Sequence, residues 1–220
     1  MGDTARKARL FEQLARVGKA LGHGKRLELL DLLAQAERPV DALATASGLN
    51  LTTASAHLQT LKQAGLVATR REGTRIFYRL AGEDVADLVV RARAVAAAHL
   101  PDVAAAREAY FGGADGVESI GRDELLRRVT AGEVTVLDVR PADEYAALHL
   151  PGAVNIPIDQ LAGRLDELPS DTEVVAYCRG PYCMFAHEAV RLLGARGRRA
   201  RRLDDGVIEW RLAGQALAAA

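Results

Sequence analysis

Apolar positions along the first hundred residues recur at helical spacing and then change period. Leu10, Phe11, Leu14, Val17 and Leu21 fall near a 3.6-residue repeat, which predicts a helix over 5–21 that Gly22 and Gly24 end. "KRLELLDLLAQAE" (25–37) predicts a second helix, stopped by Pro39. "VDALATASGL" (40–49) predicts a short third, ending at Gly48. "LTTASAHLQTLKQAGL" (51–66) predicts a fourth, capped by Thr52 or Thr53 and closed by Gly65. Its apolar stripe is Ala56, Leu58, Leu61 and Leu66. Over 67–80, "VATRREGTRIFYRL", the pattern turns strand-like on both sides of Glu72-Gly73 and predicts a hairpin. A fifth helix follows over 83–100. This order, mainly α with one hairpin, is that of a winged helix-turn-helix.

Residues 99–116 start near a proline and end in glycines, with room for one helix over 102–111; they mark a linker. Beyond it the periodicity changes class. Short strands over 117–120, 134–140, 173–177 and 199–203 alternate with helices over 122–132, 159–168 and 183–197, and 141–157 reads as helix and loop. Alternation of this kind predicts an α/β unit with a parallel sheet. The chain thus divides into a winged helix-turn-helix domain (1–98), a helical linker (99–116) and an α/β domain (117–220).

Charge sharpens that division. The whole chain is neutral, but residues 1–98 hold 15 Lys+Arg against 10 Asp+Glu, and the remainder carries the opposite excess. A basic first half suits a polyanion. Opposite its apolar stripe the fourth helix offers Thr52, Thr53, Ser55, His57, Gln59 and Thr60, short polar groups suited to base edges and phosphates in a major groove. The hairpin offers Arg70, Arg71, Arg75 and Arg79 against one acid, Glu72, a density suited to DNA phosphates. No apolar run approaches a membrane span and the N-terminus lacks a signal-peptide core, so no membrane partner is expected and the expected compartment is the cytoplasm.

Both cysteines lie in one stretch, "EVVAYCRGPYCMFAHEAV" (173–190), as Cys178 and Cys183. A staple, a metal clip and a reactive pair are the alternatives. Thiols stay reduced in the cytoplasm, and two cysteines fall short of a four-thiolate zinc site, so no metal and no cofactor is expected. Cys178 follows a buried strand, where reactive loops of parallel sheets lie. A loop of inward N–H groups, a helix start and Arg179 all predict a lowered thiol pKa at Cys178. Gly180 permits the bend. Met184 stands where an oxyanion-binding loop would need an arginine.

Two family resemblances follow from these motifs. "SAHLQTLKQAGLVATRREGTRIFYRL" resembles the ArsR-type winged-helix repressors, over about residues 5–98. That resemblance implies a homodimer built on the first and fifth helices, bound to near-palindromic double-stranded operator DNA and released by an inducer. Unlike many such repressors, this chain has no cysteine before Cys178, so the sensor is expected elsewhere. "VLDVRPADEYAALHLPGAVNIP", "YCRGPYC" and "LDDGVIEW" resemble a single-domain rhodanese, over about 117–215. That resemblance implies a persulfide on Cys178, with Asp138, Arg140, Glu144 and His149 as framework. The combined expectation is a repressor whose rhodanese-like domain senses reactive sulfur at Cys178, Cys183 and Arg179. The donor would be thiosulfate, polysulfide or a persulfide, and Cys183 would resolve the Cys178 persulfide. The alternatives are a sulfurtransferase with an attached DNA-binding domain, and a repressor responding to a thiophilic ion such as arsenite.

Overall fold

Leucines at helical spacing build the first unit around one core. In the computed structural model, which describes residues 2–112 and 117–219, it begins with α1 (Gly2–Leu21), α2 (Gly24–Gln35), β1 (Arg38–Pro39), α3 (Val40–Ala46) and α4 (Leu51–Gln63). The hairpin β2 (Val67–Glu72) and β3 (Arg75–Leu80) follows, and then α5 (Glu83–His99). Leu29, Leu30, Leu33, Leu43, Leu58 and Leu61 are buried together at its centre. The strands form an antiparallel sheet in the order β1-β3-β2, so the two-residue β1, absent from the sequence reading, pairs with the hairpin. The hairpin turns at Gly73, whose φ of 59° suits a residue without Cβ.

Two details of α4 differ from expectation. Asn50, not Thr52 or Thr53, caps the helix: its side-chain oxygen accepts from the Thr53 backbone N–H at 2.8 Å. Ala54, Leu58 and Leu61 form the buried stripe, and Ala56 is exposed. Residues 54, 58 and 61 stack on one helix face, whereas 56 lies two positions from 58 and points away.

The second unit carries α6 (Pro101–Phe111), β4 (Ser119–Ile120), α7 (Arg122–Thr130), β5 (Val134–Asp138), α8 (Ala142–Ala147) and β6 (Val154–Asn155). It continues with α9 (Ile158–Leu161), a 3-10 turn (Leu165–Glu167), β7 (Glu173–Tyr177), α10 (Phe185–Ala195), β8 (Ala200–Leu203) and α11 (Val207–Leu212). The glycines expected to close the linker at 113–116 lie outside the described residues. Contacts divide the chain into Met1–Ala92 and Arg93–Ala220.

The five strands are parallel in the order β4-β8-β7-β5-β6. Val174, Val175, Ala176 and Tyr177 of β7 are fully buried, because helices and loops cover both faces of this central strand. Its last residue, Tyr177, delivers the chain directly to Cys178. β6 falls in a stretch read as helix and loop, and α11, within "LDDGVIEW", had been given no element.

Candidate functional site

A buried ionic frame fixes the end of the sheet where the cysteine loop leaves it. Arg140 donates to both Asp138 oxygens, at 2.6 Å for the closest pair, and to the Leu148 carbonyl at 2.7 Å. The Tyr177 hydroxyl donates to Asp138 Oδ2 at 2.6 Å and accepts from the Leu150 N–H at 3.1 Å. Burial and the neighbouring carboxylate push the Tyr177 hydroxyl pKa far up, so the phenol stays protonated. Asp138, Arg140 and Glu144 are entirely inaccessible, and His149 is buried with its ring stacked on Tyr145 at 3.8 Å. Arg140 therefore faces its carboxylate and a carbonyl, out of reach of an anionic donor.

The cysteine loop sits on this frame. Cys178 is 3% exposed and joins the core of Leu137, Val139, Ile156 and Ala186. Its Sγ lies 3.6 Å from the Cys183 carbonyl and 3.9 Å from that of Gly180. Cys183 is half-buried, two residues before α10 begins at Phe185. The two thiols share one loop and diverge in acidity. Burial pushes the Cys178 thiol well up, and the contact with Cys183 adds to that shift. The neighbouring Cys178 thiol lowers Cys183, helped by the Arg179 and Phe185 backbone groups and the Arg179 charge. The sequence expectation of an acidic Cys178 is corrected here: the lowered thiol is Cys183, because Cys178 sits in the apolar core and Cys183 at the helix start.

Arg179 does not reach into open space. Its guanidinium grips the buried Glu144 carboxylate at 2.6 and 3.0 Å and lies over the Phe185 ring at 5.1 Å. Its charge acts on the loop while its donors are engaged.

Two supports went unread in the sequence. A Cβ on Gly206 would lie 2.4 Å from the Arg179–Gly180 peptide, so only glycine lets α11 approach the loop this closely. The Glu209 carboxylate accepts from the Gly206 N–H at 3.0 Å and lies against Gly180, whose φ of 144° is itself a glycine conformation. The signal was present: Gly206 and Glu209 sit in the rhodanese-like terminal motif, at a spacing of three. A cavity of about 420 Å³ opens beside α10, lined by Val139, Pro157, Ile158 and Phe185, with Asp159 and Gln160 as its polar groups.

His187, in the first turn of α10, is buried. Nδ1 lies 3.3 Å from the Cys183 carbonyl, which makes this nitrogen the donor. Its other neighbour is Phe111, the last residue of α6, stacked at 4.4 Å.

In the first unit, Thr52, Gln59 and Thr60 are exposed on α4, whereas Thr53, Ser55 and His57 are half-buried. His57 packs on His23 at 4.5 Å, and burial with the nearby His23 and Arg26 lowers its pKa. Gln59 donates to the Tyr78 hydroxyl at 3.2 Å. The hairpin arginines are not equivalent. Arg70 pairs with Glu37 at 2.7 Å and Glu72 at 2.6 Å and stacks on Phe77, while Arg71 donates to the Gly73 carbonyl. Arg75 is exposed beside the turn. Among the described residues, no three His, Cys, Asp or Glu gather to hold a metal ion, and no helix is long and apolar enough to cross a membrane.

A winged helix-turn-helix with a basic hairpin, joined to a parallel sheet bearing a cysteine loop, defines a DNA-binding regulator fused to a rhodanese-like domain. The description "Bacterial regulatory protein, arsR family" matches residues 23–69, and "Rhodanese-like domain" matches 121–213. The chain is 60% identical to the HTH-type transcriptional regulator Rv0324 of Mycobacterium tuberculosis, over 97% of this chain and 93% of that one. It belongs to the ArsR-type helix-turn-helix transcriptional regulators, in the form that carries a rhodanese-like domain. A sulfurtransferase of Allochromatium vinosum is 30% identical over 43% of this chain and 88% of its own length. A solution structure titled as the homodimeric winged helix-turn-helix DNA-binding domain (fragment 1–100) of a Mycobacterium bovis protein is 64% identical. It covers 44% of this chain and 90% of that one, with a TM-score of 0.42.

Proposed function

We propose that this regulator controls transcription in response to sulfane sulfur, handled by the thiol pair Cys178 and Cys183. The observation that carries the reading is the placement of both thiols in a single strand-to-helix loop, Cys178 buried and Cys183 half-buried, with the Cys178 Sγ 3.6 Å from the Cys183 carbonyl. Sulfur added to one thiol lies within reach of the other, so the persulfide resolves to a disulfide with loss of sulfide. Closing that bond draws Cys183 toward Cys178. The Cys183 carbonyl moves with it, and so do His187 and the Phe111 ring stacked on it. The change therefore leaves the loop through α6, the helix that follows α5.

On the DNA side, the exposed Thr52, Gln59 and Thr60 read the major groove, with Thr53, Ser55 and His57 beside them. Arg71 and Arg75 meet the phosphates, and Arg70 contributes less because two carboxylates already hold it. The chain acts as a homodimer: Leu10, Phe11 and Leu14 are 58–60% exposed along α1, an apolar stripe too regular for a solvated face. The linker begins near His99, after α5.

The test is titration of the full-length protein with a polysulfide, following sulfide release and operator affinity together. Release of sulfide with a change in affinity is expected; an unchanged affinity after modification overturns the reading. The likeness to a sulfurtransferase favours a second reading, an enzyme carried on a DNA-binding domain. Steady turnover of thiosulfate and cyanide to thiocyanate would favour it. Cys178 burial and the engagement of Arg179 by Glu144 argue for slow turnover.

A further inference from the structure

The two thiols are differently placed for a first encounter with a donor. The cysteine thiolate attacks the donor in line with the donor's S–S bond, so the donor must reach the sulfur, and Cys178 is 3% exposed among Leu137, Val139, Ile156 and Ala186. Its Sγ lies against the Gly180 and Cys183 carbonyls, which accept an S–H, and burial outweighs the Gly180 and Ala186 backbone groups that favour its thiolate. Cys183 is half-buried two residues before the 11-residue α10, where the Arg179 and Phe185 backbone groups and the Arg179 charge lower its pKa. Phe185, two residues after Cys183, lines the neighbouring cavity. That wall carries Asp159 and no lysine or arginine, which suits a donor with a small uncharged end better than a dianion.

We propose that sulfane sulfur enters the loop at Cys183, with a low-molecular-weight hydropersulfide (RS–SH) as donor, and that Cys178 is the resolving thiol. This rests on the sulfane-sulfur reading above and inverts the roles that the rhodanese resemblance gave the two residues.

The chemistry balances without a further oxidant. The Cys183 thiolate attacks the outer sulfur of RS–SH. The donor's S–S bond breaks, RS⁻ leaves and takes a proton from water, and Cys183–S–SH forms. Cys178, whose Sγ lies 3.6 Å from the Cys183 carbonyl, then gives up its proton and attacks the Cys183 sulfur. The S–SH bond breaks, sulfide leaves with the proton, and a Cys178–Cys183 disulfide remains. Both cysteine sulfurs are oxidised by one electron each, and the sulfane sulfur takes both electrons.

The experiment exposes the full-length protein and its Cys178→Ser and Cys183→Ser variants to glutathione persulfide, with intact mass and peptide mapping as readout. Cys178→Ser should gain one sulfur, mapped to Cys183. Cys183→Ser should gain none over the same time, and the wild type should lose two hydrogens and release one sulfide. Uptake by Cys183→Ser with none by Cys178→Ser places entry at Cys178 and overturns the proposal, while sulfane chemistry stands. No uptake by any of the three overturns the sulfane-sulfur reading itself. Should a serine variant fail to fold, brief alkylation of the wild type at neutral pH decides the order. Cys183 should label at least about tenfold faster than Cys178; Cys178 labelling first overturns the proposal.

Discussion

The Phe111 ring lies on the His187 imidazole, centroids 4.4 Å apart and planes 29° from parallel. His187 also donates through Nδ1 to the Cys183 carbonyl. The pair therefore links a linker helix to the reactive loop through one imidazole, and it supplies the first prediction. Phe111→Leu removes the stacking and leaves the loop's own contacts in place. Persulfide uptake should proceed at the wild-type rate, while the change in operator affinity on modification should shrink by at least half. Mass spectrometry and fluorescence anisotropy on one sample check it, and an undiminished affinity change would mean that the signal bypasses Phe111.

His187 gives a pH dependence. Burial lowers its pKa from 6.5, and the charges of Arg202, Arg107 and Arg191 lower it further against the Cys183 carbonyl, which raises it. The unfolded chain then binds the proton more readily than the folded one. Its contribution to stability is present above pH 6.5 and is lost as pH falls from there toward the folded value, at up to about 1.4 kcal/mol per pH unit. His187→Gln should lose less stability than the wild type between pH 7.5 and pH 5.5 in urea unfolding. Equal acid losses would show that His187 titrates normally.

The wing arginines should separate by salt dependence. Arg75 is exposed, and its replacement by alanine should lower the log–log salt slope by about one per lost phosphate contact. Arg70→Ala should change the slope less, because Glu37 and Glu72 already hold that guanidinium. Equal slopes for both variants would place Arg70 on the phosphates despite its carboxylate partners.

The frame under the loop should be intolerant. Arg140→Leu strands the Asp138 carboxylate in an inaccessible site and should cost about 3–5 kcal/mol in denaturant unfolding. Adding Asp138→Asn to that variant should restore part of the loss. A loss under 1 kcal/mol for Arg140→Leu alone would mean that water reaches Asp138.

Much of this was legible along the chain, and the limits were physical. The helices of the first unit and the buried strand 173–177 announce themselves because one period runs over many residues. Two-residue strands such as Arg38–Pro39 and Val154–Asn155 carry no period, and their existence depends on a partner distant in sequence. The cap of α4 was misread because Asn50, Thr52 and Thr53 all carry capping side chains, and only backbone geometry chooses among them. The positions of Cys178 and Cys183 were legible from the strand that precedes them. Their relative acidity was not, because it depends on which sulfur the core encloses. Arg179 shows the same limit, since Glu144, 35 positions earlier, engages its charge.

The most direct measurement is the affinity of the full-length protein for a duplex selected from a random pool by the reduced protein. It is taken before and after glutathione persulfide, for the wild type and for a variant with both Cys178→Ser and Cys183→Ser. The account predicts that treatment weakens wild-type binding by about fivefold or more and leaves the double variant unchanged. An equal shift in the double variant, or none in a wild-type sample whose mass shows the disulfide, would contradict it.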